Sequence, residues 1–445
     1  MLVMLSYIIT FVGSLLIFSG IAFPILAVES YIIIRPLIQP FAWLQYKLFS
    51  LPIAFPFSIT LIVIGLILPV INRRWNLFVR KSGLFVIYLS IAILSTALSD
   101  DIILSVATIA KLITVWFLFN ISYNSVATES DALRIIDALI VSSLIPLLIG
   151  FYQAFTGQYN MIHDAEVDRV SSVFGTGNDY GIFLTFITAA LIIRLYLTNV
   201  KWMKLVVIIV MLMVLVSQVL SLNRGTWIAL LLGFFVSAVK YRRYLNFKWL
   251  VVGGTVFMLM FSGRIIERFN ELEDPAGVHY SGVNTLEGRL NHWTALMPVV
   301  MERPLLGYGA GMTSIVSQKT IGNQHKPHND YLLVCLETGI LGLFAYVAFL
   351  IRIFIHFILR HVSNDLWMWN FSMLMLIVYF IIISGVQNIV QSIMNFAIFM
   401  IFVAVVLKIN YLARTNKRTL NRNDMQSVFL GNNVKRQAIS VCSET

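Results

Sequence analysis

Long apolar stretches alternate with short polar connections along almost the whole chain. A helix crosses the hydrocarbon of a bilayer with about 20 apolar residues. About twelve stretches meet that requirement, with cores near 2–27, 51–71, 82–98, 102–121, 132–155, 177–197, 202–222, 224–239, 247–263, 329–357, 369–388 and 392–411. The pattern predicts an all-α polytopic membrane protein. The first stretch has no Lys or Arg before it and no small-residue cleavage site after it, so it reads as a retained helix.

The interruptions are as informative as the helices. Segment 35–50, with Pro36, Pro40, Trp43 and Tyr46, is too polar to span and reads as interfacial. Two connections on one side are long, 156–176 and 264–327. Within the second, Leu290, Trp293, Leu296, Met297 and Val300 recur at helical spacing, which predicts a surface helix over 286–301. The chain then divides into 1–263 with nine helices, a large outer loop at 264–327, three helices over 328–411, and a polar tail at 412–445.

Composition narrows the class. Hydrophobic residues make up 59% of the 445 and charged residues 12%, about half the share of a soluble domain. The mean hydropathy is +0.85. Two cysteines, Cys335 and Cys442, build no disulfide framework and are expected free. The net charge of +11 would raise the question of nucleic acid in a soluble protein. Here the basic residues fall in the connections and report topology instead. With the N-terminus cytoplasmic, 21 Lys and Arg fall inside and 10 outside, which predicts both termini inside. Lys111 is left near the middle of its helix, where an ammonium is costly and needs a partner.

Three residues on the outer side carry candidate chemistry. Arg224 follows Asn223, a plausible N-cap, at the start of the eighth helix. A cation there opposes the helix dipole unless an anion binds beside it. Arg289 lies in the large loop and His328 where that loop enters the tenth helix. Taken singly, each has a plain structural use: headgroup contact, a surface pair with Glu287, or a hydrogen-bonded loop histidine. Together, two guanidiniums suit a diphosphate and a near-neutral imidazole suits proton removal from a sugar hydroxyl.

Metal sites are less well supported. His325 and His328 form an H-x-x-H pair without further ligands in the pattern, and 164–168 only mimics a calcium loop. Asp100 and Asp101 are the best divalent-ion candidates, against a simple turn that starts a helix. No nucleotide motif is present, and no cofactor is expected. Glu337 follows His328 by nine residues. A continuous helix would put it on the opposite face, about 13.5 Å along.

These residues resemble the bacterial O-antigen ligase and O-antigen polymerase family. The likeness rests on Arg303–Met312, on His328-Asn329-x-x-Leu332 with Glu337-Thr338-Gly339, on Ser221–Gly233, on Gly288–Leu296, and more loosely on Phe174–Asp179. Asn223 stands where the family more often has serine. The resemblance implies a GT-C-type glycosyltransferase of the bacterial inner membrane, working on its periplasmic or outer face. It would take a glycan from undecaprenyl diphosphate and attach it to another glycan or to lipid A core, without metal and with inversion. Arg224 and Arg289 would bind the diphosphate, and His328 would be the base. Membrane lipids and a chain-length regulator are implied partners, and nucleic acid is not. Polymerase is the first reading, because nothing specifies lipid A; ligase is the alternative. A transporter or lipid-linked glycan flippase is the competing class, with Lys111 its best feature.

Overall fold

The computed structural model describes residues 2–43, 47–48, 51–52, 55–72, 75, 82–158, 169–245, 286–322, 326–359 and 364–415. The chain runs through α1 (Leu2–Phe18) and α2 (Pro24–Trp43) to a small antiparallel hairpin of β1 (Lys47–Leu48) and β2 (Leu51–Pro52). Next come α3 (Phe55–Ile71), α4 (Gly83–Ser95), α5 (Ile102–Ser125), α6 (Glu129–Ser142) and α7 (Leu144–Thr156). Then follow α8 (Gly177–Leu197), α9 (Lys201–Leu220), α10 (Arg224–Lys240), α11 (Leu286–Glu302), α12 (Thr313–Ile321), α13 (Asp330–Leu359), α14 (Trp367–Ser384) and α15 (Ile393–Thr415). Apart from the β1–β2 hairpin, the described chain is an all-α polytopic membrane protein. Seven of its described spans are long and apolar enough to cross a bilayer, with shorter apolar helices beside them. The expected ninth span at 247–263, the first part of the outer loop, Cys442 and the rest of the tail beyond 415 lie outside the described residues.

Four stretches differ from the sequence expectation. The stretch 2–27 is two helices rather than one. A 3-10 turn at Ser19–Ile21 ends α1, and Pro24, whose fixed φ and missing N–H suit a first helical turn, starts α2. A Cβ on Gly20 would meet Ala27 beside the turn, and one on Gly13 would meet Ile34 farther away, so α1 and α2 are antiparallel. Residues 35–43, expected at the interface, belong to α2, and Ile38 is buried. The stretch 132–155 lies in one candidate span, Glu129–Thr156, interrupted by a turn at Ser143 between α6 and α7, shortly before Pro146, which has no N–H to give. Lastly, α13 is kinked at Gly339, with φ 67° and ψ −171°.

Helices α8, α14 and α15 form the centre. Nearly every residue of Trp367–Ser384 is buried, as befits a helix apolar on all sides with helices around it. Asn370 and Asn410 satisfy each other there at 2.9 and 3.1 Å. The outer helices leave Ile103, Phe155 and Phe344 exposed, the apolar surface a lipid environment accepts.

Charges sort to two ends of the bundle. One end holds the ion pairs Arg134–Glu29 and Arg194–Asp137, and Lys240 donating to the Phe357 and Ile358 carbonyls. The other end gathers the starts of α5, α8, α10, α13 and α15. Among the described residues, Arg134, Arg194 and Lys240 lie at the first end and Arg169, Arg224, Arg289 and Lys319 at the second.

Candidate functional site

At the second end, three arginines from distant parts of the chain converge. Arg169 precedes α8 and donates to Asn178 Oδ1 at 3.0 Å and to the Leu222 carbonyl at 3.4 Å. That carbonyl belongs to the turn before Arg224. Leu222 has a positive φ of 50°, and Asn223 caps α10, accepting from the Thr226 N–H at 3.2 Å. The expected N-cap is therefore present. Asn223 also donates to the Asn178 carbonyl, tying the α8 start to the α10 start. Arg289 comes from α11 and donates to the Val386 carbonyl at 3.3 Å. A Cβ on Gly225 would lie 3.2 Å from Val386 Cγ2, so Val386 sits between the two expected arginines. Arg289 Nε is buried with no protein acceptor. Burial, then the fields of Arg224 and Arg169, push the Arg289 guanidinium below its ordinary range. Two like charges beside a guanidinium with a buried, unpartnered Nε are an arrangement whose repulsion a bound anion would relieve. Sequence reasoning missed Arg169, because its only signal was a basic residue in an outer connection.

His328 is held in place from both sides. Its φ is +49°, a left-handed conformation uncommon for residues other than glycine. Before it, the Pro327 carbonyl accepts from Trp293 Nε1 of α11 at 2.6 Å. After it, Asn329 caps α13, its Oδ1 accepting from the N–H groups of Tyr331 and Leu332. The Asn329 N–H in turn donates to Asn388 Oδ1 at 3.1 Å.

Segment 385–392, between α14 and α15, joins these parts, and the sequence reading did not single it out. Val386 contacts the arginine group. Asp330 accepts from the Ile389 and Val390 N–H groups at 3.1 and 3.2 Å. Gln391 donates to Glu337 at 2.6 Å, and Ser392 donates to Asp179 at 3.1 Å. The signal lay in Gln387, Asn388, Gln391 and Ser392, which interrupt an otherwise apolar run.

The stretch Arg303–Met312 packs against the α13 kink. Its backbone donates from Tyr308 and Gly309 to the Leu336 and Glu337 carbonyls at 3.0 and 2.9 Å, and Pro304 accepts from Ile340 at 2.8 Å. Gly307 and Gly339 both have φ of 67°, and a Cβ on either would meet backbone within 2.5 Å. Both glycines of the paired motifs are thus required by left-handed backbone at close approach. The kink turns the Glu337 carboxylate to Thr313 Oγ1 at 2.6 Å and to Gln391. The helix arithmetic from His328 does not apply, because His328 precedes the helix in a left-handed conformation.

Lys326 lies in the field of Glu337, Asp179 and Asp330. Enclosure by protein pushes its ammonium below the ordinary lysine range, against those three carboxylates. Asp100 pairs with Lys319 at 2.6 Å, and that ammonium holds its carboxyl below the usual range. Asp101 caps α5, accepting from the Leu104 N–H at 2.9 Å. The two aspartates have separate duties in this structure. His325 and the 164–168 loop lie outside the described residues. Among the described residues no three His, Cys, Asp or Glu side chains converge as a metal site.

Residues 209–347 match the family model described as O-antigen ligase. The chain is also 24% identical over 315 residues to a Rickettsia conorii protein carrying the provisional name polysaccharide ligase, covering 66% of this chain and 71% of that one.

Proposed function

We propose that this membrane protein is a glycosyltransferase of the O-antigen ligase family, acting in surface polysaccharide biosynthesis. It transfers a glycan from undecaprenyl diphosphate to a saccharide hydroxyl. The observation that supports it most directly is the meeting of Arg169, Arg224 and Arg289 beside the segment that also holds the His328 loop. Polymerisation of repeat units is the first reading. Joining polymer to lipid A core is the second, favoured by the ligase descriptions of the family and of the relative.

In this mechanism the arginines clamp the diphosphate through planar forks. Charge grows on the departing phosphate oxygen, and fixed guanidiniums stabilise it more in the transition state than in the ground state. The leaving diphosphate is a stable anion and needs no general acid. His328 takes the proton of the acceptor hydroxyl as its oxygen attacks the anomeric carbon, and one displacement inverts that centre. The reaction proceeds without a metal ion. The site end faces the periplasm or cell exterior, and the tail after α15 is cytoplasmic, as the 21-to-10 division of basic residues favours. The α1–α2 hairpin adds a pass before residue 43 and so moves the expected cytoplasmic N-terminus to the outer side.

The test incubates purified protein with lipid-linked repeat units, with and without a lipid A core acceptor, in the presence and absence of EDTA. Polymer, or polymer on core, is expected with and without chelator. His328→Ala is expected to lower turnover about 10²–10⁴-fold with donor binding kept. A folded His328→Gln protein turning over like the wild type removes the histidine as base.

A further inference from the structure

His328 and Arg289 are tied into one closed circuit of chain. Arg289 and Trp293 lie four residues apart on α11, so they share a face and are about 6 Å apart along the helix. Arg289 donates to the Val386 carbonyl at 3.3 Å, and Trp293 Nε1 donates to the Pro327 carbonyl at 2.6 Å. Two residues after Val386 stands Asn388, whose Oδ1 accepts from the Asn329 N–H at 3.1 Å. Pro327 and Asn329 flank His328. The circuit thus runs from Arg289 along α11 to the residue before His328, and along segment 385–392 to the residue after it.

An N-cap residue's own N–H lies outside the helix and needs an acceptor. A capping box supplies one locally, from a side chain at the third helical position. In α6 this happens, with Thr128 and Asp131 each accepting from the other's N–H. In α13 the third position after Asn329 is Leu332, which has no acceptor to offer. The Asn329 N–H is satisfied instead from a segment 59 residues away in sequence. The next residue is tied to the same segment, since Asp330 accepts from the Ile389 and Val390 N–H groups. The start of α13 is therefore held from outside, directly after a histidine at φ +49°. Left-handed backbone is uncommon for histidine and persists where the surrounding structure fixes it.

We propose that Asn388 and Trp293 are positioning residues for His328, which set the imidazole at a fixed separation from the Arg289 guanidinium. The assignment rests on the function proposed above, with His328 as base and Arg289 on the diphosphate. An inverting displacement needs the acceptor hydroxyl deprotonated on the side of the anomeric carbon away from the leaving group. A misplacement of about 1 Å in such a geometry costs on the order of a hundredfold in rate. One brace alone would leave the opposite flank free to turn the histidine. The Trp293 and Asn388 bonds act on the two flanks, and both lead back to Arg289. The two residues act through the histidine and not on the substrate.

The test is a double-mutant cycle on the full-length protein in detergent. Turnover of lipid-linked repeat units is expressed per folded molecule, and donor binding is titrated separately. Asn388→Ala and Trp293→Phe are each expected to lower turnover about ten- to a hundredfold, with donor affinity changed about threefold or less. Because both act through His328, adding either to His328→Ala is expected to slow that variant no further. Asn388→Asp keeps an oxygen acceptor and is expected to recover most of the rate. If Asn388→Ala does not fold, Trp293→Phe, which keeps an aromatic ring, carries the cycle. A folded Asn388→Ala or Trp293→Phe protein with wild-type turnover overturns the assignment. So do losses that multiply with that of His328→Ala, which a merely structural role predicts. If the wild type transfers no glycan, or His328→Ala turns over like it, the function proposed above has failed and the positioning role falls with it. Those two proteins show this by themselves, before any cycle is drawn.

Discussion

Replacing Gly339 by alanine tests whether the α13 kink organises the site. At φ 67° and ψ −171° the backbone is in a region essentially reserved for glycine, and a side chain there costs about 1–3 kcal/mol. A Cβ would also clash with the Leu305 carbonyl and stand 2.5 Å from Leu306 N. These are backbone atoms, so the 303–311 stretch must withdraw. Withdrawal breaks the Tyr308, Gly309 and Ile340 hydrogen bonds to the kink, each worth roughly 0.5–1.5 kcal/mol. Together the loss is about 2.5–7.5 kcal/mol, a large part of the 5–15 kcal/mol typical of folded proteins. Gly322 is the internal control. It has φ 80° but nothing within 4 Å of the place a Cβ would take, so Gly322→Ala costs only the left-handed penalty of about 1–2 kcal/mol. Thermal unfolding of both variants in the same detergent, followed by tryptophan fluorescence, separates the two terms. Equal melting shifts for Gly339→Ala and Gly322→Ala would refute the reasoning, because close approach would then contribute nothing.

Three further outcomes are expected. Arg169→Gln should weaken donor binding about tenfold, read by titration with lipid-linked diphosphate, because a charge-assisted contact is removed. Asp330→Asn should lower stability by about 1–3 kcal/mol and weaken donor binding as well, since one of the two carboxyl oxygens that accept from the Ile389 and Val390 N–H groups becomes an amide nitrogen and segment 385–392 also carries Val386. Lys326→Met should raise the melting temperature at neutral pH. The folded ammonium titrates below its unfolded value, so its cost is full below the folded pKa and vanishes above the ordinary lysine range. The gain over wild type should therefore shrink as pH rises through that window, and a gain independent of pH would contradict it.

The long helices were legible because hydropathy sums over many residues, and so were the local caps. Asn223, Asn329 and Asp101 each bond an N–H within three residues, a range that sequence spacing resolves. The α1–α2 hairpin was not, because both arms are apolar and a window over 2–27 averages across Ser19–Phe23; Pro24 was the local clue. The α6–α7 bend was hidden in the same way. Arg224, Arg289 and His328 were singled out by residue type and place in the chain, whereas Arg169 was not, its proximity to Arg289 being purely tertiary. The kink was missed because Gly339 sits inside a run whose apolar spacing is helical on both sides. Segment 385–392 escaped for another reason: Val386, Ile389 and Val390 act through main-chain atoms, which no side-chain motif reports.

Segment 385–392 also bears on how portable this site is. The stretch that matches the family model stops at residue 347, before the segment, and starts at 209, after Arg169 and Asp179. A transplant of 209–347 into another membrane scaffold would carry Arg224, Arg289, His328 and Glu337 but not the main-chain atoms that hold Arg289 and Asp330, nor the Asn388 side chain that holds Asn329. Sequence likeness to the family model and mechanical self-sufficiency thus have different borders in this chain. A chimera that moves this group of residues into another scaffold needs its junctions outside 169 and 392, so that the grafted piece brings its own brace.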